Sequence, residues 1–190
     1  MQSHVKLLLR PLTLDDLEAY RKCTHPSNTY HQYNGPYFKQ ATASEHEASI
    51  NTLKERLIAG DDNALQNKKL IVDAETNALI GQVNWYWKSI ETNWLEVGIV
   101  IFNENYWGHG IGYKALKLWI DEILRANEKL VRIGLTTWSG NQRMMALAEK
   151  LGLKKEAVYR KARIVKGEYY DSVSYGILRD EWETLYHQQP

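Results

Sequence analysis

Five residues near the middle of the chain, Gly108-His109-Gly110-Ile111-Gly112, restrict its folding more than any other stretch. They follow an apolar run from Trp94 to Phe102 that reads as a strand. They precede an amphipathic pattern reaching to about Asn127, with Leu116, Trp119, Ile120 and Ile123 on one face. Glycine just before a helix lets the backbone come close to a ligand. The first turn of a helix has N–H groups with no partner inside the helix, and these donors together with the helix dipole favour a phosphate. Residues 107–113 therefore predict a site for a phosphorylated ligand.

Two common phosphate motifs fit poorly. A Walker loop needs Gly-Lys-Ser/Thr, where this chain has Gly110-Ile111-Gly112-Tyr113. In a Rossmann fingerprint the third glycine comes one residue later, and the turn follows the first strand of a parallel unit. Here the glycines follow an apparent antiparallel meander. A ligand-free, tight strand-to-helix turn is the plainer alternative.

The rest of the pattern frames this segment. Val5–Arg10 reads as a first strand, ending at Pro11. Thr13 with Asp16 reads as the cap of a helix ending near Cys23, and Ser44 with Glu47 as the capping box of a second. Ile50, Leu53, Leu57 and Ile58 form the second helix's apolar face, stopped near Gly60. Three strands follow, at 69–73, 79–88 and 94–102, with Val83, Trp85 and Trp87 on one face. After the glycines and their helix come a strand at 131–138 and a helix capped by Asn141 and closed by Gly152. A hairpin turning at Lys166-Gly167 and a short helix from Asp180 complete the chain. The order β-α-α-β-β-β-α-β-α-β-β implies a mixed sheet with helices, in the α/β or α+β class. The absence of repeats and linkers predicts one domain over residues 1–190.

Composition removes several function classes. With 24 basic and 23 acidic residues, net charge +1, the chain lacks the basic excess of a general nucleic-acid binder. Its single cysteine, Cys23, excludes an internal disulfide and reads as a packed thiol. The six histidines are scattered with no pair at ligand spacing, so no metal is expected. The longest apolar run, Val97 to Phe102, is about a third of a spanning helix, so no membrane association is expected. The N-terminus lacks a secretion signal, so a cytoplasmic location is expected.

Trp107-Gly108-His109-Gly110-Ile111-Gly112 resembles the coenzyme-A motif Q/R-x-x-G-x-G/A of GNAT acetyltransferases, with Trp107 at the first position. The run from Asn105 resembles the Tyr-Trp-Gly-Lys-Gly form found in the branch of ribosomal-protein N-terminal acetyltransferases. Leu9-Arg10-Pro11-Leu12, Asn141, Lys150-Leu151-Gly152-Leu153 and Asp171-Ser172-Val173 resemble other family marks, in family order, from about residue 5 to 183.

The resemblance implies a GNAT fold: a mostly antiparallel sheet of about seven strands, splayed between the fourth and fifth, flanked by about four helices. It implies acetyl-CoA as co-substrate, entering that gap. Val100, Ile101 and Phe102 would offer backbone groups to pantetheine, Trp107 to Tyr113 (Trp107, Gly108, His109, Gly110, Ile111, Gly112 and Tyr113) amides to the pyrophosphate, and Asn141 a contact to the pantetheine arm. A backbone N–H near Val100 would meet the developing oxyanion. Glu96 stands where several members carry a catalytic glutamate, and becomes the candidate base for an ammonium that must lose a proton. Where members carry a proton-donating tyrosine or serine in the fourth helix, this chain has Met144 and Ala148, leaving Tyr159 or water as substitutes. The aromatic stretch from Tyr30 to Phe38, with Trp85 and Trp87, is a candidate lining for the amine site, although such residues more often pack a core. The expected activity is acetylation of an amine, a protein N-terminus first and a polyamine, amino acid or aminoglycoside second. A coenzyme-A-binding module without turnover is the alternative outside catalysis. The resemblance also admits a homodimer.

Overall fold

The structure, a computed structural model, describes residues 5–61 and 65–187. Its strands are β1 (Leu7–Arg10), β2 (Lys68–Asp73), β3 (Leu79–Ser89), β4 (Trp94–Ile101), β5 (Arg132–Trp138), β6 (Lys154–Val165) and β7 (Glu168–Leu178). Its α-helices are α1 (Leu17–Thr24), α2 (Ala43–Ile58), α3 (Ile111–Ala126), α4 (Gln142–Lys150) and α5 (Arg179–Tyr186). The element order is the expected one, with the short terminal helix α5 as a fifth. The strands form one seven-stranded sheet in the order β1-β2-β3-β4-β5-β7-β6. The β4–β5 pairing is parallel, whereas β1–β2, β2–β3, β5–β7 and β6–β7 are antiparallel.

The chain divides into two compact units: Met1–Asn84 with Ile99–Ala115, and Trp85–Gly98 with Leu116–Pro190. β3, β4 and α3 each run from one into the other, so neither unit is a separate stretch of chain.

In the first unit, Asp16 organises the entry to α1. Its carboxylate takes two 2.7 Å hydrogen bonds from Arg10 and further bonds from Thr13 N and Oγ1 at 2.9 and 2.8 Å. α2 begins two residues earlier than the Ser44/Glu47 reading. Thr42 is its cap: Thr42 Oγ1 accepts from Glu45 N at 3.1 Å, and the Glu45 carboxylate accepts from Thr42 N at 2.7 Å. Both pairs fit the S/T-x-x-E pattern. His46, which is buried, lies on the helical stripe 46, 50, 53, 57. Ile58, expected on the apolar face, lies off that stripe and is 64% exposed. The core gathers Leu12, Leu17, Tyr20, Ile50, Leu70 and Val100, with Tyr30 and Phe102 in ring contact. Gly81 permits the closest backbone approach here, since a Cβ on it would lie 2.2 Å from Val100 O.

In the second unit, β5 pairs with β7 along its whole length, from Arg132↔Leu178 to Trp138↔Ser172. The parallel ladder of β4 with β5 comprises two residue pairs, Leu95↔Ile133 and Glu96↔Gly134, among the described residues. The β6–β7 hairpin turns on Lys166 and Gly167, both at positive φ, the geometry of a two-residue hairpin turn. Asn141 Oδ1 caps α4 by accepting from Met144 N at 3.1 Å, and Gly152 (φ 84°) closes the helix. Arg179 donates to Leu124 O at 3.0 Å, a carbonyl in the last turn of α3, and to Leu130 O at 2.8 Å in the link to β5.

Candidate active site

The glycine loop belongs to the first unit and is held from its N-terminal side. Asn103 Oδ1 accepts from Asn105 N at 2.9 Å, starting a short 3₁₀ turn over Glu104–Tyr106. Trp107 N then donates to Glu104 O at 2.8 Å, and the Trp107 indole N–H to Ile101 O at 3.0 Å. The indole also stands edge-on to Tyr33, with ring centroids 5.6 Å apart, and packs on the core. The indole thus ties the loop to the end of β4, while the backbone N–H closes the 3₁₀ turn. The backbone amide of Trp107, expected to meet a ligand, is instead taken by Glu104 O, because the chain closes a 3₁₀ turn at this residue.

Beyond Trp107 the backbone opens. Gly108 and Gly110 have φ of 79° and 76°, and a Cβ on either would meet nothing within 4 Å. Positive φ explains the residue type, and the open space is what a close-lying ligand needs. Lys114 N donates to Gly110 O at 3.1 Å, so the helix begins there. Among the described residues, the amides of Gly108, His109, Gly110, Ile111 and Gly112 have no protein acceptor. Five consecutive donors at the positive end of a helix fit a diphosphate group. His109 is exposed, Tyr113 half-buried, and Ile111 buried under the loop. Of the β4 positions, Val100 and Phe102 are buried, Phe102 N donates to Ile80 O at 2.9 Å, and Ile101 O takes the Trp107 indole.

Glu96 belongs to the second unit, on β4. It is 2% exposed. Burying a carboxylate costs several kcal/mol unless its oxygens are hydrogen-bonded. Here hydroxyls meet both: Tyr86 Oη donates to Oε2, and Thr136 Oγ1 donates to Oε1 at 2.9 Å. Thr136 Oγ1 lies 3.0 Å from Ser174 Oγ, and Lys88 Nζ 3.9 Å from Glu96 Oε1. Gly134 lies opposite Glu96 on β5, where a Cβ would come 3.2 Å from Tyr175 O and 3.4 Å from Glu96 Cγ.

Tyr86, Thr136 and Ser174 were not singled out from the sequence. A hydroxyl signal was present: polar Thr136 inside Leu135-Thr136-Thr137-Trp138, and serines at 172 and 174 in β7. Strand alternation puts Tyr86 and Lys88 on one face of β3 and Trp85 and Trp87 on the other, where those two rings meet at 5.7 Å. In the fourth helix Ala148 is fully buried, and Tyr159 on β6 is exposed. Tyr30 is core: burial pushes its phenol well above the usual range. Burial also raises the Cys23 thiol. Among the described residues no group of three or more His, Cys, Asp or Glu could hold a metal ion, and no helix is long and apolar enough to cross a membrane.

Known proteins resemble the chain throughout its length. A family model described as an acetyltransferase (GNAT) domain matches residues 6–154. The uncharacterized N-acetyltransferase YnaD of Bacillus subtilis is 26% identical over 177 residues, 93% of this chain and 96% of that protein. A spermidine N-acetyltransferase from Vibrio cholerae, solved with CoA and spermine, superposes with a TM-score of 0.71 at 20% identity, covering 93% of this chain and 98% of that one. A ribosomal-protein-S5-alanine acetyltransferase from Vibrio fischeri gives 0.70 at 19% identity, covering 96% and 97%. At such identities the two structures speak to the fold. Together with the family match over most of the chain, they place this protein among the GNAT acetyltransferases.

Proposed function

We propose that the chain moves an acetyl group from acetyl-CoA to a primary amine, and that this amine is the N-terminus of a protein or peptide. The observation that carries the cofactor half is the run of five amides from Gly108 to Gly112 without protein acceptors at the start of α3. Acetyl-CoA, when bound, supplies an activated acyl group as a thioester. The amides hold its diphosphate, and Trp107 fixes the loop that presents them. Glu96 is the proton acceptor, because an ammonium has no lone pair until it loses a proton.

Two things support an N-terminal amine. One is the Tyr106-Trp107-Gly108-His109-Gly110 run, similar to the branch that acetylates ribosomal proteins. The other is Lys88, about half exposed with its ammonium 3.9 Å from Glu96, a charge that disfavours a polycation beside that carboxylate. The likeness to a spermidine acetyltransferase keeps a polyamine as the second reading.

The test is a screen with acetyl-CoA and thiol detection. Its acceptors are peptides with free N-termini, the same peptides N-terminally blocked, spermidine, free amino acids and an aminoglycoside. Thiol release with the free but not the blocked peptides is expected. Release with spermidine alone would replace this reading by the second.

A further inference from the structure

Glu96 has a difficulty as a proton acceptor: at 2% exposure it cannot meet an incoming ammonium directly. Whatever proton reaches it must pass through a group already touching it. Three side chains qualify by position, namely Tyr86, Thr136 and Lys88.

They differ chemically. Lys88 Nζ, at 3.9 Å, is beyond hydrogen-bond distance, and as an ammonium it has donors but no acceptor. Thr136 uses its one hydroxyl proton on Glu96 Oε1, so in its bond with Ser174 it must be the acceptor and Ser174 the donor. That arm leads from the carboxylate to the half-buried Ser174 on β7. Tyr86 is 42% exposed, and its hydroxyl donates to Glu96 Oε2. Tyr86 therefore combines direct contact with the buried carboxylate and the greatest exposure among these hydroxyl-bearing residues.

We propose that Tyr86 is the relay through which Glu96 deprotonates the acceptor ammonium. The inference rests on Glu96 being the proton acceptor. In one step the ammonium N–H bond breaks and its proton passes to Tyr86 Oη. In the same step the Tyr86 O–H bond breaks and that proton passes to Glu96 Oε2. The phenol ends neutral, the carboxylate ends protonated, and the amine keeps the electron pair of its broken bond for attack on the acyl carbon. Reversal through Tyr86 returns the proton to solvent. Thr136 and Ser174 are positioning residues, keeping Oε2 turned to Tyr86 by holding Oε1.

The experiment compares wild type, Tyr86→Phe, Glu96→Gln and Thr136→Val as full-length chains. Each is assayed with the acceptor that responds in the screen and with its aminooxy counterpart, whose nitrogen is uncharged at neutral pH and needs no base. Wild-type affinity for coenzyme A in each variant reports an intact fold. Tyr86→Phe should lower kcat/KM for the ammonium acceptor about 100-fold, the scale of lost general-base assistance, and Glu96→Gln at least as much. Both should recover to within a few-fold of wild type on the aminooxy acceptor, a rescue that a merely structural role for the phenol would not give.

Tyr86→Phe with full activity beside an impaired Glu96→Gln would overturn the relay and leave Glu96 as the base. An equal loss on both acceptors in Tyr86→Phe would overturn it too, as would loss and rescue in Thr136→Val instead. Full activity in Glu96→Gln, or no turnover on any acceptor, would remove the reading beneath it as well.

Discussion

Glu96 is the residue at which structure and chemistry meet most closely. A buried carboxylate persists on β4 because Tyr86 and Thr136 supply hydroxyls to both of its oxygens. Removing the acid leaves these donors without an acceptor and opens a cavity. Glu96→Ala should therefore lose about 2–4 kcal/mol of stability. Glu96→Gln keeps the volume and one acceptor oxygen and should lose clearly less; denaturant melts of the two variants check the difference. The acid itself was legible in the sequence, from its place before the glycine motif. Its partners were not, because Tyr86, Thr136 and Ser174 lie on three other strands, and only the register of β5 with β7 brings Thr136 opposite Ser174. Trp107 was legible as a motif position but not as a brace, since the motif describes the backbone and the indole makes the bond to Ile101 O.

Among the elements, the entries to α1 and α2 carry checkable energies. Asp16 is held at a pKa of about 2, first by its hydrogen bonds from Arg10 and then by those from Thr13, against burial that pushes the other way. Its ordinary value is about 4. A depressed folded-state value stabilises the fold above the unfolded pKa, and the gain disappears as pH falls from about 4 through about 2. Asp16→Asn should therefore cost about 2 kcal/mol at pH 7, with the gap to wild type closing as pH falls through that window. Thermal melts at pH 7 and pH 2.5 measure it. At α2, Thr42→Ala should cost about 1 kcal/mol and Ser44→Ala almost nothing, which melts of the two variants compare directly. Ser44 with Glu47 is the capping box expected from the sequence, and Thr42 with Glu45, two residues earlier, is the one the structure forms.

For the whole molecule, strand and helix order followed from periodicity and turn residues, and the hairpin at Lys166-Gly167 from its glycine. The neighbour order β4-β5-β7-β6 did not, because sequence pattern identifies strands without saying which edges pair. The parallel β4–β5 pairing, two residues long, is the feature that only the coordinates supply. In the proposed function the main chain binds the cofactor: the amides from Gly108 to Gly112 grip the diphosphate of coenzyme A. The most direct measurement is an amide ¹H–¹⁵N correlation spectrum of the ¹⁵N-labelled chain during titration with coenzyme A, alongside pantetheine, which lacks the diphosphate. Large shifts are expected at Gly108, Gly110 and Gly112 with coenzyme A that pantetheine does not reproduce, if these amides hold the diphosphate. Saturable coenzyme A binding that leaves these three resonances in place would contradict it.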